Sequence, residues 1–308
     1  MTDTSKEIFE KHQIRKTKKQ KNAFIDYVGK LSDQWGYTHH IEKGMLGARN
    51  IVVGDISTAK VIYTAHYDTC PVLPFPNFIT PKCLSLYILY QIALVGAFFL
   101  VAGLLGVAVG VFTALIGAEL IYVYAVAEVI YLLLFLMLFM GPANKHTAND
   151  NTSGVTLLID IMSDLPSEQR ENVAFVFFDL EEMGLFGSAS FASVHKAEMK
   201  NRLLLNFDCV SDGENIIFAL KKGAKPYHQA IESAFEEKDN FKVEVADKGI
   251  FYPSDQANFP CGVGVAALRS TKNGLLYMNR IHTKRDVIYK EENIEFLKNG
   301  AIELLNNI

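Results

Sequence analysis

The sequence lacks paired cysteines. Its four cysteines, Cys70, Cys83, Cys209 and Cys261, are scattered without Cys-x-x-Cys spacing. The sequence therefore predicts neither a disulfide framework nor a zinc site formed by cysteines. We therefore expect reduced thiols and a cytosolic compartment for the part of the chain that carries them.

An excess of basic residues is also missing. The formal net charge is −4 over 308 residues, so we expect no nucleic acid partner. The exception is the run from Lys11 to Lys21, which holds six Lys or Arg residues. We expect this run to be a solvated helix face or a frayed terminus, and contact with an anionic membrane surface is the alternative.

The first twenty residues lack the apolar centre of a signal peptide. The amino-terminal part is therefore expected on the cytoplasmic side, and any membrane segment must lie inside the chain. About half of the residues are apolar, which is enough for a substantial core in a large α/β domain.

Charge is absent from Leu84 to Ala118, and after Glu119 and Glu128 a second apolar run continues to Gly141. One membrane span needs about 20 residues, so the pattern predicts two helices, 84–109 and 111–140, with a turn near 109–113. Lysines at both boundaries favour a cytoplasmic side for the rest of the chain. The alternative is a lid or an oligomer contact over the active site.

Two glutamates interrupt the second apolar run. Glu119 and Glu128 are nine residues apart, which places them on opposite faces of one helix. A carboxylate in the middle of a membrane helix is costly unless it is protonated or paired. We therefore expect the hairpin to pack against a second copy of itself, which would make the protein a homo-oligomer in the lipid bilayer.

Outside the hairpin, β-branched and aromatic runs alternate with helical patterns. Such alternation predicts an α/β fold with a mostly parallel twisted sheet flanked by helices, formed by residues 1–78 and 145–308 and interrupted by the inserted hairpin, 79–144. The predicted strands are 50–53, 60–65, 173–178, 203–207, 215–219 and 262–268, and the predicted helices are 22–35, 153–164, 187–195 and 227–237.

Acidic residues and histidines collect where the predicted strands end. Ligands of open α/β sheets bind at the carboxyl ends of strands, so these side chains could converge in one crevice. They are His66, Asp68, Asp150, Glu181, Glu182, Asp208 and His282.

Each of these residues also has a simpler interpretation. His282 could be a hydrogen-bonded surface residue, Asp150 could cap the following helix, and Asp208 could be a turn residue. His66 and Asp68 form a more specific pattern, because residues two apart on an extended segment point the same way. Asp68 could then hold one ring nitrogen of His66 while the other faces a metal.

Together these motifs resemble the M28 family of zinc aminopeptidases. The resemblance covers nearly all of the chain except the hairpin, and the motifs occur in the family's order. They are His66-Tyr67-Asp68, Asp150-Asn151-x-Ser153-Gly154, Glu181-Glu182-x-Gly184, Asp208 and His282-Thr283.

The resemblance implies a zinc exopeptidase fold with two Zn²⁺, or other divalent metals, bridged by Asp150. His66 and Asp208 would complete one metal site, and Glu182 and His282 the other. The catalytic residues would be Glu181, as the general base that activates water, and Asp68, as the partner of His66. It also implies a cis peptide bond between Asp150 and Asn151.

Clustered carboxylates support a metal site independently of the resemblance, because without metal they would repel one another and some would have to protonate. Two features depart from the family. Ser254-Asp255 is followed by Gln256 where the family often has histidine, and this changes the expected pocket chemistry. Asp68 and Asp150 are also unusually far apart. Tyr252 could stabilise an oxyanion or could simply pack.

The leading functional interpretation is a membrane-anchored dizinc aminopeptidase that removes amino-terminal residues from short peptides, with both termini in the cytoplasm. A monozinc enzyme resembling glutaminyl cyclases is the first alternative. A membrane scaffold that has the fold without catalysis is the second.

Overall fold

A computed structural model of the protein describes residues 1–117, 119–237 and 241–308. Within them, one sheet contains β1 (His39–Lys43), β2 (Arg49–Val53), β3 (Val61–His66), β4 (Val173–Phe178), β5 (Leu203–Phe207), β6 (Asn215–Leu220), β7 (Lys242–Ala246), β8 (Gly262–Ser270) and β9 (Leu276–Tyr277). The α-helices are α1 (Asp3–Lys11), α2 (Lys18–Gln34), α3 (Leu84–Leu115), α4 (Leu120–Met140), α5 (Gly154–Asp164), α6 (Phe186–Val194), α7 (His228–Ala234) and α8 (Glu291–Asn307).

The centre of the sheet is parallel. The strand order is β1-β2-β4-β3-β5-β8-β6-β7, with β9 beside β8. The neighbours β4, β3, β5 and β8 pair in parallel, whereas β2 joins β4 and β6 joins β8 in antiparallel fashion. The predicted α/β fold with a sheet between helices is therefore confirmed, and its outer strands make the sheet mixed.

Both faces of the sheet are covered, as the nearly continuous apolar strands require. Tyr63, Phe175 and Leu205 point into the larger core cluster, which includes apolar residues of α2, α5 and α8. Their neighbours along the strands, such as Val176 and Leu204, point to the opposite face and pack with Phe191 of α6. Helices on both faces leave the strand ends free to form a site.

The two apolar helices differ from the predicted hairpin in their bounds. The first continues to Leu115, beyond the turn expected at 109–113. The hydroxyl of Thr113 donates to the carbonyls of Val109 and Gly110 within the helix, and Gly117 with φ of 71° follows the helix end. By length and composition, 84–115 and 121–140 could each cross a membrane, with mean hydropathies of 2.7 and 2.4.

The two glutamates of the hairpin occupy different positions relative to α4. Glu119 precedes the first residue of α4 and lies at the turn between the helices. Glu128 is exposed on α4. Association with a second copy through this helix stays a prediction.

The basic run near the amino terminus is only partly solvated, contrary to expectation. Arg15 is fully buried, and its Nε donates to the carbonyl of Tyr67 at 2.5 Å. Lys21 is buried in an ion pair with Asp179, which directly follows β4. These cations are held inside because they meet acceptors at the strand ends that the sequence pattern alone does not show.

We expect Lys21→Met to lower the free energy of unfolding by about 3 kcal/mol, because it leaves the buried Asp179 carboxylate without its cation. Lys19→Met is the matched control on an exposed position of the same helix, and its effect should stay within about 0.5 kcal/mol. Unfolding of the detergent-solubilised chain, followed by circular dichroism, measures both. Equal stabilities of the two variants would contradict the importance of this ion pair.

Candidate metal centre

The candidate site lies at the carboxyl ends of three adjacent parallel strands. His66 is the last residue of β3, Asp208 follows β5, and Glu181 and Glu182 follow β4. Strand β3 lies between the other two in the sheet. The sheet thus brings together side chains as far apart in sequence as His66 and Asp208.

One group of candidate ligands surrounds the ring of His66. Its Nε2 atom lies 3.3 Å from Oδ1 of Asp150 and 3.4 Å from Oδ1 of Asp208. All three residues are buried, and their ligand atoms lie within 4.8 Å of one another. Three ligand atoms therefore face one small volume.

A second group shares Asp150. Nε2 of His282 lies 3.1 Å from Oδ2 of Asp150 and 3.3 Å from Oε2 of Glu182. Asp150 thus turns one carboxylate oxygen toward each histidine. This is the arrangement expected of a carboxylate that bridges two metal ions.

The residues fit a pair of divalent ions. Tetrahedral zinc with bonds of about 2.0–2.1 Å separates its ligand atoms by about 3.3 Å, which matches the four distances. Charge-assisted hydrogen bonds would be shorter, about 2.7–2.9 Å. In addition, the buried Oε1 atom of Glu182 has no hydrogen-bond partner among the described residues. Imidazole and carboxylate are both ordinary zinc ligands.

The charges of the cluster also call for cations. Burial, followed by the charge of Asp150, raises the pKa of Glu182 to about 7, although His282 opposes the shift. Burial lowers the pKa of His282, but Glu182 and Asp150 outweigh it and raise the value to about 9. Without metal the clustered carboxylates draw protons onto the site, and divalent ions would displace these protons on binding.

Glu181 lies in the same cluster but outside the two groups that share Asp150. Its carboxylate is within 4.8 Å of the ligand atoms of His66 and Glu182. Burial and the neighbouring carboxylates of Glu182, Asp208 and Asp255 raise the pKa of Glu181 well above its ordinary range, although His66 opposes them. A carboxyl group with a raised pKa in a cleft is suited to proton transfer near neutral pH.

Asp150 is held by a residue that sequence reasoning missed. The Asp286 carboxylate accepts the backbone N–H of Asn149 at 2.8 Å and that of Asp150 at 3.0 Å. The peptide bond between Asp150 and Asn151 is cis, as the resemblance implied. Asp286 thus holds the backbone of the Asp150 segment. The only feature of the sequence that points to this role is its position four residues after the candidate ligand His282.

The segment after Asp150 is fixed to the end of β5. The Asn151 amide donates to the carbonyl of Phe207 at 3.0 Å, and its oxygen accepts the N–H of Gly154. A side chain at Gly154 would come within 2.2 Å of that same carbonyl, so the close approach requires glycine. This explains why the Asp-Asn-x-Ser-Gly motif is more than a helix cap.

Asp68 contacts His66 mainly through its backbone. Nδ1 of His66 lies 3.1 Å from the carbonyl oxygen of Asp68 and 3.7 Å from its carboxylate. The carboxylate instead accepts the N–H groups of Glu181 at 3.0 Å and Glu182 at 3.3 Å. Asp68 therefore orients both the histidine and the glutamate pair.

Two further residues, Cys70 and Tyr252, lie beside the candidate ligands. The thiol of Cys70 lies within 4.8 Å of the ligand atoms of Asp150, Glu182 and His282, a proximity that its isolated position in sequence did not reveal. All four cysteines, which lie in the described residues, are free. The hydroxyl of Tyr252 donates to the carbonyl of Asp208 at 2.9 Å, so Tyr252 supports a candidate ligand.

The segment 254–256, in which Gln256 stands where the resemblance suggested histidine, is bonded to strand β5. Ser254 and Gln256 both accept hydrogen bonds from the Asn206 amide of β5. Asp255 between them is buried, and burial, together with the charges of Asp208 and Asp68, raises its pKa to about 7 against the opposing charge of His66. Gln256 thus takes part in a polar network rather than in the candidate ligand set.

Comparison with known families identifies the class of protein. The model of peptidase family M28 matches residues 137–304, which is more than half of the chain. The chain therefore belongs to peptidase family M28. A comparison with curated proteins gives no match.

The chain shares its fold with solved structures of both aminopeptidases and glutaminyl cyclases. The LapA aminopeptidase of Legionella pneumophila superposes with a TM-score of 0.58 at 12% identity, covering 99% of this chain and 69% of that chain. Glutaminyl cyclase of Porphyromonas gingivalis gives 0.59 at 15% identity, covering 98% and 97%. The glutaminyl cyclase of Bacteroides thetaiotaomicron bound to N-acetylhistamine gives 0.58 at 15%, covering 99% and 98%. At these identities the likeness establishes the fold.

If Asp150 bridges two ions, Asp150→Asn should lower the zinc content of the chain by more than either Asp208→Asn or Glu182→Gln, each of which removes a ligand from one group only. We expect a loss of about one ion per chain for the latter two. Zinc per chain is measured by plasma mass spectrometry after dialysis against a fixed free-zinc buffer. Asp26→Asn, on an exposed position of α2, is the control. Equal losses in all three site variants would contradict a bridging Asp150.

Proposed function

We propose that the protein is a membrane-anchored dizinc aminopeptidase that hydrolyses amino-terminal residues from short peptides. The observation that carries this proposal is the convergence of His66, Asp208, Glu182 and His282 on the two oxygens of Asp150. Membership of peptidase family M28 supports peptide hydrolysis as the reaction class.

In this proposal His66, Asp150 and Asp208 hold one ion, and Asp150, Glu182 and His282 hold the other. Held by these residues, a pair of divalent ions would supply Lewis-acid chemistry toward the scissile carbonyl and water. Asp286 and Asn151 keep the bridging carboxylate in place, and Asp68 fixes the orientation of His66 and of the glutamate pair.

Glu181 acts as the general base. It accepts a proton from the attacking water and passes that proton to the leaving amine. Two features support this role: its carboxylate lies beside the candidate ligands without being needed in either group, and burial raises its pKa well above the ordinary range of a glutamate. A base with a pKa near the working pH transfers protons most effectively in both directions.

Membrane anchoring is supported by the two long apolar helices, whose side chains are mostly exposed. We propose that these helices cross the bilayer as an inserted hairpin, 79–144, between the two parts of the catalytic domain. The catalytic domain and both termini would then lie on the cytoplasmic side, as the flanking lysines indicate.

Glutaminyl cyclase chemistry is the second candidate, because two of the similar folds belong to enzymes with that name and are covered almost completely. A cyclase would convert an amino-terminal glutamine without releasing it. Incubation of the full chain with Gln-Ala and Leu-Ala, followed by mass spectrometry, separates the two reactions. We expect free leucine and alanine from Leu-Ala, and cyclised Gln-Ala with intact Leu-Ala would favour the cyclase.

Glu181→Gln should lower kcat for dipeptide hydrolysis on the order of 10³-fold, because it removes the proton acceptor while preserving shape. Zinc content should remain that of the unmodified protein. Glu236→Gln, at an exposed position, is the matched control and should retain full activity. Loss of zinc in Glu181→Gln would instead make Glu181 a ligand, and retained turnover would contradict its role as a base.

A further inference from the structure

A cavity of about 450 Å³ lies between the apolar helices and the candidate metal centre. Its size falls within the range of ligand pockets in proteins. We name it the hairpin pocket; it is lined by Glu182 and His282 at the metal centre, and by Leu94, Phe98, Phe135 and Leu138 of the hairpin, together with neighbouring residues. Two candidate metal ligands thus form part of its wall.

The loop that joins the metal centre to the pocket is held by backbone hydrogen bonds. The N–H of Leu73 donates to the carbonyl of His282 at 2.7 Å, and the N–H of Val72 donates to that of Pro142 at 2.8 Å. Leu73 lines the pocket, and Pro142 follows α4. The pocket wall and the ligand His282 are therefore fixed to the same segment.

The helices are also fixed against the catalytic part. The hydroxyl of Tyr90 in α3 donates to the carbonyl of Pro76 at 2.7 Å. Lys16 donates from Nζ to the carbonyl of Phe139 in α4, also at 2.7 Å. Further along the helices, the rings of Phe98 and Tyr131 pack edge to face at 5.4 Å. These contacts support a preformed pocket.

The chemistry of the wall selects its occupant. Apart from the two metal-centre residues, the hairpin contributes aliphatic and aromatic side chains and a single amide, Gln91. A charged group placed there would lose its hydration without gaining an ionic partner. An apolar group would instead exchange water for apolar contacts, which is favourable.

We propose that the hairpin pocket is the specificity site for a large apolar side chain. This side chain belongs to the substrate residue whose carbonyl carbon forms the scissile peptide bond. This inference rests on the proposed aminopeptidase function and deepens it. Because Glu182 and His282 line one end of the pocket, a substrate carbonyl at the metal centre places the neighbouring side chain at its entrance. The membrane helices would then act in substrate selection as well as in anchoring.

A lipid chain is the competing occupant, since the pocket lies between two apolar helices. A hydrocarbon chain, however, has no polar group that interacts with the carboxylate of Glu182 and the imidazole of His282 at the metal-centre end. A substrate satisfies both ends, because its polar amide meets the metal centre and its side chain meets the hairpin.

The test uses the full chain in phosphatidylcholine nanodiscs and the 4-nitroanilides of alanine, leucine and phenylalanine. The unmodified protein should cleave the leucine and phenylalanine compounds with kcat/KM at least about 10-fold above the alanine compound. Leu94→Trp and Leu138→Trp fill the pocket and should remove this preference, with less than about a 3-fold change for alanine. Leu100→Trp and Leu133→Trp, at exposed helix positions outside the pocket, should keep it.

Binding provides a readout that does not depend on turnover. Calorimetry with leucinamide and alaninamide on zinc-loaded Glu181→Gln should show tighter binding of leucinamide, and the added Leu94→Trp change should abolish the difference. A binding preference without any hydrolysis would refute the proposed function and leave the pocket assignment standing. Hydrolysis without a size preference, or equal losses for all three substrates in the filled variants, would overturn the assignment, as expected if lipid occupies the pocket.

Discussion

The structure depends on the placement of one carboxylate between two histidines. Asp150 presents Oδ1 to His66 at 3.3 Å and Oδ2 to His282 at 3.1 Å, with Asp208 and Glu182 beside them. Such crowding of negative charge is unstable in a buried site unless protons or cations compensate for it. The hydrogen bonds from the backbone of Asn149 and Asp150 to Asp286 and the parallel strands that end at this point keep these groups close.

The two apolar helices join the rest of the chain next to the candidate ligands. Helix α3 begins fourteen positions after Cys70, and α4 ends ten positions before Asp150, so both ends of the insertion lie near the candidate ligands in sequence. In space, the loop after Cys70 and the segment after α4 are bonded to each other, with a bridge between Pro71 and Ala143. The segments that carry the two apolar helices are thus the same ones that border the candidate ligands.

Much of the fold could be predicted because buried parallel strands appear as short apolar runs, as in 173–178 and 203–207. Helix α8 was not predicted, although Ile294, Leu297, Ala301 and Leu304 recur at helical spacing; charged residues among them obscure the pattern. Strand β7 was also missed, because it alternates lysine and glutamate with valine and is half exposed. The turn predicted at 109–113 lies inside α3, because an apolar run without charges does not show where the first helix ends.

The candidate ligands could be proposed from sequence because they follow strands and occur in the order of a family. Asp286, Cys70 and Arg15 could not, since each owes its place to partners far away in the chain: Asp286 bonds across 136 positions to Asp150. Burial of Arg15 is also nonlocal, because two of its acceptors, Tyr67 and Thr69, lie on the segment after β3. A local sequence pattern does not reveal contacts between residues that are far apart in the chain.

The number of zinc ions bound by the unmodified chain tests the central claim most directly. Native mass spectrometry of the full protein, released from detergent after equilibration with zinc, resolves states with no, one and two ions. A bridging Asp150 predicts a dominant state with two ions. A dominant state with one ion at saturating zinc would contradict the dizinc centre.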